Sequence, residues 1–298
     1  MRNSKKRIQR SVWKTACSLL LSVLILVPLF LAEPVSVSAW DTAYGEAAWN
    51  YLKVIDESYP SRISDISVSA DTSGKENFGA WIVAELQSMG YSVTPISWSL
   101  DGNQVTSYVA RKEGRSSRTL TVGAHYDSVA TKGVDDNGTG VSLTLELARR
   151  FKDADTYLSL DFCFWDGEET LHYAGSCSYV GGLRAVDDIA CYLNLDSLGA
   201  GDRMYAYGGE YDSQGQLKND GPLRLAQSIA SARGIDLHTM PEQVTVFPTP
   251  TRSGNSDQVY FYLNHIPYVY FEANAWITPE GNLGRTDYPQ LYNSSLEC

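Results

Sequence analysis

The feature that most constrains the fold is Thr119 to Gly140, TLTVGAHYDSVATKGVDDNGTG. Leu120 to Ala124 is a short apolar run of the kind a buried strand needs, and it breaks directly into His125-Tyr126-Asp127. A loop follows, carrying Asp135-Asp136-Asn137-Gly138. Behind it, Val141, Leu143, Leu145, Leu147, Ala148 and Phe151 are spaced for a helix buried over most of its surface. Strand, polar loop and helix in this order set an imidazole and carboxylates at the carboxyl end of a strand. Open α/β sheets bind ligands there.

The same ending recurs twice. Tyr157 to Trp165 reads as a strand that runs into Asp166-Gly167-Glu168-Glu169, and Ile189 to Leu195 as one that runs into Asp196-Ser197. Ile266 to Phe271 is a last apolar strand. Helices are expected over Trp40 to Tyr59, Lys75 to Met89 with Gly90 as terminator, Gly175 to Leu183, and Pro222 to Arg233. Another is expected over Ser256 to Asn264, capped by Ser256 and with Asp257 at its positive end. Tyr91 to Trp98 and Thr106 to Arg111 suit a hairpin at the sheet edge around Asp101-Gly102-Asn103, while Arg62 to Gly74 and Pro241 to Gly254 read as loops. The fold class is therefore α/β: a single domain with a central mixed, mostly parallel sheet, helices on both faces, and the polar site at the carboxyl ends of the strands.

Six basic residues from Arg2 to Lys14 precede an apolar run, Ala16 to Ala32, and Val37-Ser38-Ala39 supplies small residues for cleavage. Residues 1–39 are read as a secretory signal, so the protein is expected to be extracellular, without stable membrane association once the signal is removed. Trp40 to Cys298 suits one domain. The whole chain carries a formal charge of −11. Without the six bases and single acid of the signal, 18 basic and 34 acidic residues remain, a charge of −16. No basic stripe exists to neutralise phosphates, which excludes nucleic acid as partner. Cys163, Cys177, Cys191 and Cys298 show no metal-ligand spacing, and their spacing assigns no disulfide.

Neighbouring strands lie about 4.8 Å apart, so loops leaving the ends of adjacent strands can bring His125, the Asp135-Asp136 pair, Glu168, Glu169 and Asp196 together. So many converging carboxylates would repel one another and raise their own pKa values unless a dication sat among them. Mixed imidazole and carboxylate ligands suit zinc, whereas carboxylates alone suit magnesium or calcium.

GAHYDSV, GVDDNGTG, DGEE, Gly175-Ser176, NLDSLG and a Ser-Asp followed by HIP resemble, in order, the secreted two-zinc aminopeptidases. These bacterial leucine-type aminopeptidases share a superfamily with glutamate carboxypeptidase and glutaminyl cyclase. The resemblance runs from about Trp81 to Phe271 and implies a metallo-aminopeptidase that removes N-terminal residues from peptides with two Zn2+ ions. It implies His125 and Glu169 on one zinc, Asp196 on the other, Asp135 bridging, Glu168 as general base and Asp127 orienting the His125 ring. It also implies a cis bond at Asp135-Asp136 and places Arg252 and Asp257 near the substrate. Carboxypeptidase and glutaminyl cyclase activity, or a non-catalytic relative, are the alternatives. The family's fifth ligand, a C-terminal histidine, has no counterpart: histidines occur only at 125, 172, 238 and 265. Arg285-Thr286-Asp287 falls where that ligand is expected, and the domain, residues 40–298, is expected to be truncated at its C-terminus.

Overall fold

A computed structural model of the protein describes residues 44–129, 131–201, 203–239 and 256–274. In chain order the elements are α1 (Glu46–Ser58), α2 (Ser73–Ser88), β1 (Val93–Leu100), β2 (Asn103–Lys112), β3 (Ser116–His125), α3 (Gly140–Phe151), β4 (Leu158–Trp165), α4 (Ala174–Tyr179), β5 (Ile189–Leu195), β6 (Arg203–Tyr211), β7 (Leu217–Asn219), α5 (Gly221–Ala232), β8 (Leu237–His238), α6 (Gln258–Leu263) and β9 (Tyr268–Asn274). The expected signal, residues 1–39, the loop from Pro241 to Gly254, Arg252, Arg285-Thr286-Asp287 and Cys298 lie outside the described residues. Among the described residues no helix is long and apolar enough to cross a membrane, and Cys163, Cys177 and Cys191 are free thiols.

Nine strands form one mixed sheet in the order β1-β2-β4-β3-β5-β9-β6-β7, with β8 beside β6. The four central strands, β4-β3-β5-β9, are parallel. Antiparallel pairings flank them on both sides. The expected mixed sheet and edge hairpin are both present. The hairpin turns on Asp101 and Gly102, both at positive φ (49° and 82°), the two-residue geometry that matches strand twist.

Alternation along the strands divides the side chains between two cores. Leu120, Val122 and Ala124 of β3, with Leu158, Leu160, Phe162 and Phe164 of β4, pack under α1, α2, α3 and α5. Trp165, Tyr192, Tyr205, Tyr207 and Tyr268 form an aromatic core on the other face with Tyr179 of α4 and Phe261 of α6. Helices therefore cover both faces, as the sequence implies. Each fully buried Leu or Phe contributes roughly 1.5–3 kcal/mol by transfer out of water, so these two layers carry the sheet.

Several elements differ from expectation. β3 begins at Ser116 and keeps His125 as its last residue, because pairing with β4 and β5 extends the apolar run in both directions. α4 stops at Tyr179 rather than Leu183. The strands β6 and β7 were not anticipated. Ser256 does not cap α6; Asp257 holds that position without a side-chain cap, and the Ser256 hydroxyl is spent elsewhere.

One consequence of the topology positions the site. β3 lies between β4 and β5, so the chain leaves it with a parallel neighbour on either hand. His125 pairs with Trp165, the last residue of β4, and Gly123 pairs with Asn194 near the end of β5. The loops after all three strands thus start at one level, around the crevice where the strand order reverses.

Candidate metal centre

His125 is buried at the end of β3. Its Nδ1 lies 3.5 Å from Asp127 Oδ1 and 3.3 Å from the Asp127 carbonyl oxygen. Its Nε2 faces three acids: Asp136 Oδ1 at 3.1 Å, Asp196 Oδ1 at 3.5 Å and Glu168 Oε2 at 4.0 Å. None of these is aligned as a hydrogen bond, and Nε2 is left buried and unbonded. Ligand atoms of His125, Asp136 and Asp196 lie within 4.8 Å of one another. An imidazole nitrogen without a hydrogen bond, ringed by carboxylate oxygens, is a donor set that suits a metal cation.

The structure turns Asp136, not Asp135, toward His125. Asp135 is buried behind the turn, where its Oδ1 accepts the Gly199 amide at 2.6 Å and its Oδ2 the Ala200 amide at 3.0 Å. Thr139 Oγ1 donates to the Asp135 carbonyl at 2.6 Å and accepts the Leu198 amide at 2.9 Å. Asn137 Nδ2 donates to the Leu195 carbonyl at 2.8 Å. These contacts fasten the 134–139 turn to the loop after β5, and they use up the carboxylate expected to bridge. Burial pushes the Asp135 carboxyl up to about 7 despite those amides. The cis bond expected at Asp135-Asp136 lies instead at Asp136-Asn137.

Asp127 does more than face the His125 ring. Its Oδ1 accepts the Glu168 amide at 3.2 Å and its Oδ2 the Glu169 amide at 3.3 Å, so one buried carboxylate joins the loops after β3 and β4. Burial raises the Glu168 carboxyl well above the ordinary range, with Asp196, Asp257 and Asp136 adding to the rise and His125 opposing it. Burial likewise raises Glu169 to about 9, helped by Asp136. The His125 ring behaves oppositely: burial would lower its pKa, but Glu168, Asp127, Asp136 and Asp196 together hold it well above the usual imidazole value.

Asp196 follows β5. Ser256 Oγ donates to its Oδ2 at 2.7 Å and Ser197 Oγ to its Oδ1 at 3.0 Å. Burial works against its charge, yet His125 and these hydroxyls keep its pKa below the ordinary carboxylate value. Asn194 Nδ2 donates to Ser256 Oγ at 2.9 Å, which fixes that hydroxyl in turn. Asp257 is fully buried beside it, neither oxygen has a hydrogen-bond partner among the described residues, and burial raises its carboxyl to about 8.

Of the residues singled out in the sequence, His125, Asp127, Glu168, Glu169, Asp196 and Asp257 converge. Asp135 stands behind them and Arg252 is outside the described residues. The remaining histidines join no cluster among the described residues: His265 Nδ1 meets the Tyr211 carbonyl at 2.9 Å, His238 pairs with Asp236 at 3.0 Å, and His172 is exposed. Asp136 was legible only as one half of an acidic pair. Ser256 and Asn137 carried no signal beyond their capping and turn-forming character.

A sequence model of peptidase family M28 matches residues 107–295, well over half of the chain. The chain belongs to peptidase family M28. A probable leucine aminopeptidase 2 from Aspergillus fumigatus is 32% identical over 161 residues, covering 52% of this chain and 30% of that protein. Among solved structures, a zinc aminopeptidase from Bacillus subtilis superposes with a TM-score of 0.66 at 15% identity, covering 84% of this chain and 88% of that one. Porphyromonas gingivalis glutaminyl cyclase superposes with a TM-score of 0.61 at 21% identity, covering 80% and 86%. The structural likenesses establish a common fold. The match spans 55% of the length of one curated relative, from Escherichia coli, and only about a third of the others.

Proposed function

We propose that the protein is a zinc-dependent exopeptidase that releases N-terminal residues from peptides. The observation that carries this reading is the buried, unbonded Nε2 of His125 facing Asp136, Asp196 and Glu168. Family membership and the aminopeptidase relatives support the peptidase half, and the mixed imidazole and carboxylate donors support zinc. We assign His125, Asp136, Glu169 and Asp196 as the residues that would hold two zinc ions. Bound there, the metal would polarise the scissile carbonyl and make a water acidic enough to ionise near neutral pH.

The rest of the chemistry falls to the protein. Glu168 Oε2 stands 4.0 Å from His125 Nε2, beside the cluster, where with metal bound its carboxylate would take a proton from the attacking water. The same oxygen then delivers that proton to the departing amine nitrogen, and Glu168 ends in the state in which it began. Asp127 accepts from the imidazole Nδ1, holding the tautomer that leaves Nε2 unprotonated. Asp257, buried next to Ser256, and Arg252 are assigned to the substrate side of the site. We infer further that residues 1–39 are a secretory leader and that the enzyme is exported.

The shared fold with a glutaminyl cyclase makes cyclisation of N-terminal glutamine the second reading. The test is an assay of purified protein, stripped and zinc-reloaded, on leucine p-nitroanilide, an N-terminal glutamine peptide and a peptide read from its C-terminus. Zinc-restored release of p-nitroaniline is expected. Cyclisation or carboxypeptidase activity in its place, or no turnover of any substrate by zinc-loaded protein, would overturn the proposal.

A further inference from the structure

The segment from Tyr59 to Lys75 precedes the family-matched residues and contributes no acid or imidazole to the metal cluster, yet it sends two buried cations to the loops that do. Arg62 is fully buried. Its Nε donates to the Tyr126 carbonyl at 2.8 Å, Nη1 to the Lys132 carbonyl at 2.6 Å and the Tyr59 carbonyl at 3.2 Å, and Nη2 to the Gly133 carbonyl at 2.6 Å. Its own backbone closes the same contact, with the Ser128 amide donating to the Arg62 carbonyl at 3.0 Å and the Arg62 amide to Ser128 Oγ at 3.2 Å. The loop between His125 and Asp136 is therefore held at residues 126, 128, 132 and 133 by one side chain and its peptide units. The Phe78 ring, 5.1 Å from the guanidinium carbon, closes the far side.

The loop after β4 is held in the same manner. Lys75 Nζ donates to Asp166 Oδ2 and to the Gln104 carbonyl, both at 2.8 Å, and Ser64 Oγ donates to Asp166 Oδ1. The Thr106 amide also reaches Asp166 Oδ2 at 2.8 Å. Asp166 is two residues before Glu168, so its position sets where the Glu168-Glu169 backbone starts.

Neither loop has a strand or helix ladder of its own between these points, and each must hold acids against mutual repulsion. A planar guanidinium can bind three separated loop carbonyls in one fixed fork, which an ammonium cannot. Because Arg62 meets only carbonyls, its charge is not cancelled by direct pairing and still acts on the acids of the site.

We propose that residues 59–75 are a clamp that presets the metal centre, with Arg62 fixing the span from His125 to Asp136 and Lys75 and Ser64, through Asp166, fixing the Glu168-Glu169 loop. These are positioning residues, and the inference rests on the zinc-centre reading above.

The test measures Zn2+ affinity by competition with a chelating dye, alongside thermal unfolding, for wild type, Arg62→Lys, Ser64→Ala and Arg184→Lys. Arg184 pairs with Asp161 in the body of β4 and serves as a comparison for general destabilisation. Wild type should bind zinc, Arg62→Lys should bind it on the order of 10–100-fold more weakly, as loss of outer partners of ligands does, and Ser64→Ala several-fold more weakly. Arg184→Lys should lose stability and keep its zinc affinity. Ser64→Ala removes one hydrogen bond and little volume, so it reports even should Arg62→Lys not fold. Wild-type affinity in Ser64→Ala and in folded Arg62→Lys overturns the clamp and leaves the zinc centre standing, as does an equal loss in Arg184→Lys. A wild-type protein that binds no zinc overturns the zinc centre itself, and the clamp with it.

Discussion

Adjacent residues of the 134–139 turn have opposite jobs. Asp135 accepts two backbone amides behind the turn, and Asp136 faces His125 in front of it. Asp135→Asn should therefore cost stability, roughly 1–2 kcal/mol in urea titration because one amide loses its acceptor, while zinc still binds. Asp136→Asn should leave the apo protein as stable as wild type and weaken zinc binding, measured by the same dye competition. The reverse pattern would return the ligand role to Asp135. For Glu168→Gln the expectation is full zinc content by elemental analysis with turnover reduced about 10²–10⁴-fold, the span typical of a lost general base. His125, Glu168, Glu169 and Asp196 were all legible from strand endings. The choice between two adjacent aspartates was not, because it depends on which way each carboxylate leaves a turn whose shape is set by contacts with residues 195–200.

At the scale of elements, most of the regular structure followed from periodicity: β4, β5, α2, α5 and the edge hairpin lie within a few residues of expectation. The strand β6 did not. Its sequence RMYAYGGEY carries two adjacent glycines, and Gly208 adopts φ 145°, where an added Cβ would strike the Tyr268 carbonyl of β9. Close approach of β9 makes this stretch a strand, and no local pattern encodes that approach. Helix α1 is another non-local case. It lacks a side-chain cap of its own, and Glu146 of α3 supplies one, accepting the Gly45 amide at 3.0 Å and the Ala48 amide at 2.9 Å while pairing with Arg150 at 2.7 Å. Glu146→Gln should lower unfolding free energy by about 2 kcal/mol, the scale of a buried hydrogen bond to charge, and helicity should fall before the sheet melts.

For the molecule as a whole, the acids of the site couple folding to pH and metal. Burial raises Glu169 to about 9 and Asp257 to about 8, both above their unfolded values near 4. An acid whose pKa is raised by folding binds protons more tightly in the native state, so its contribution favours folding at low pH and is lost as pH rises through the folded pKa. From this site alone, metal-free protein should lose stability between about pH 4 and pH 9. Chelator-treated protein should thus melt lower at pH 8.5 than at pH 6, and zinc should narrow or reverse the difference, with proton release on binding visible in buffer-dependent calorimetry. An apo melting temperature that rises over this interval would contradict the account. The sequence by itself determined that strands would end in imidazole and carboxylates and that those strands would be buried, because apolar period and polar interruption are local properties. Tertiary structure alone decided that β3 lies between β4 and β5, that Asp136 rather than Asp135 turns inward, and that Arg62 and Lys75 reach across to hold the loops. Each of those outcomes depends on which groups remote in the chain must satisfy one another's hydrogen bonds and charge once water is excluded.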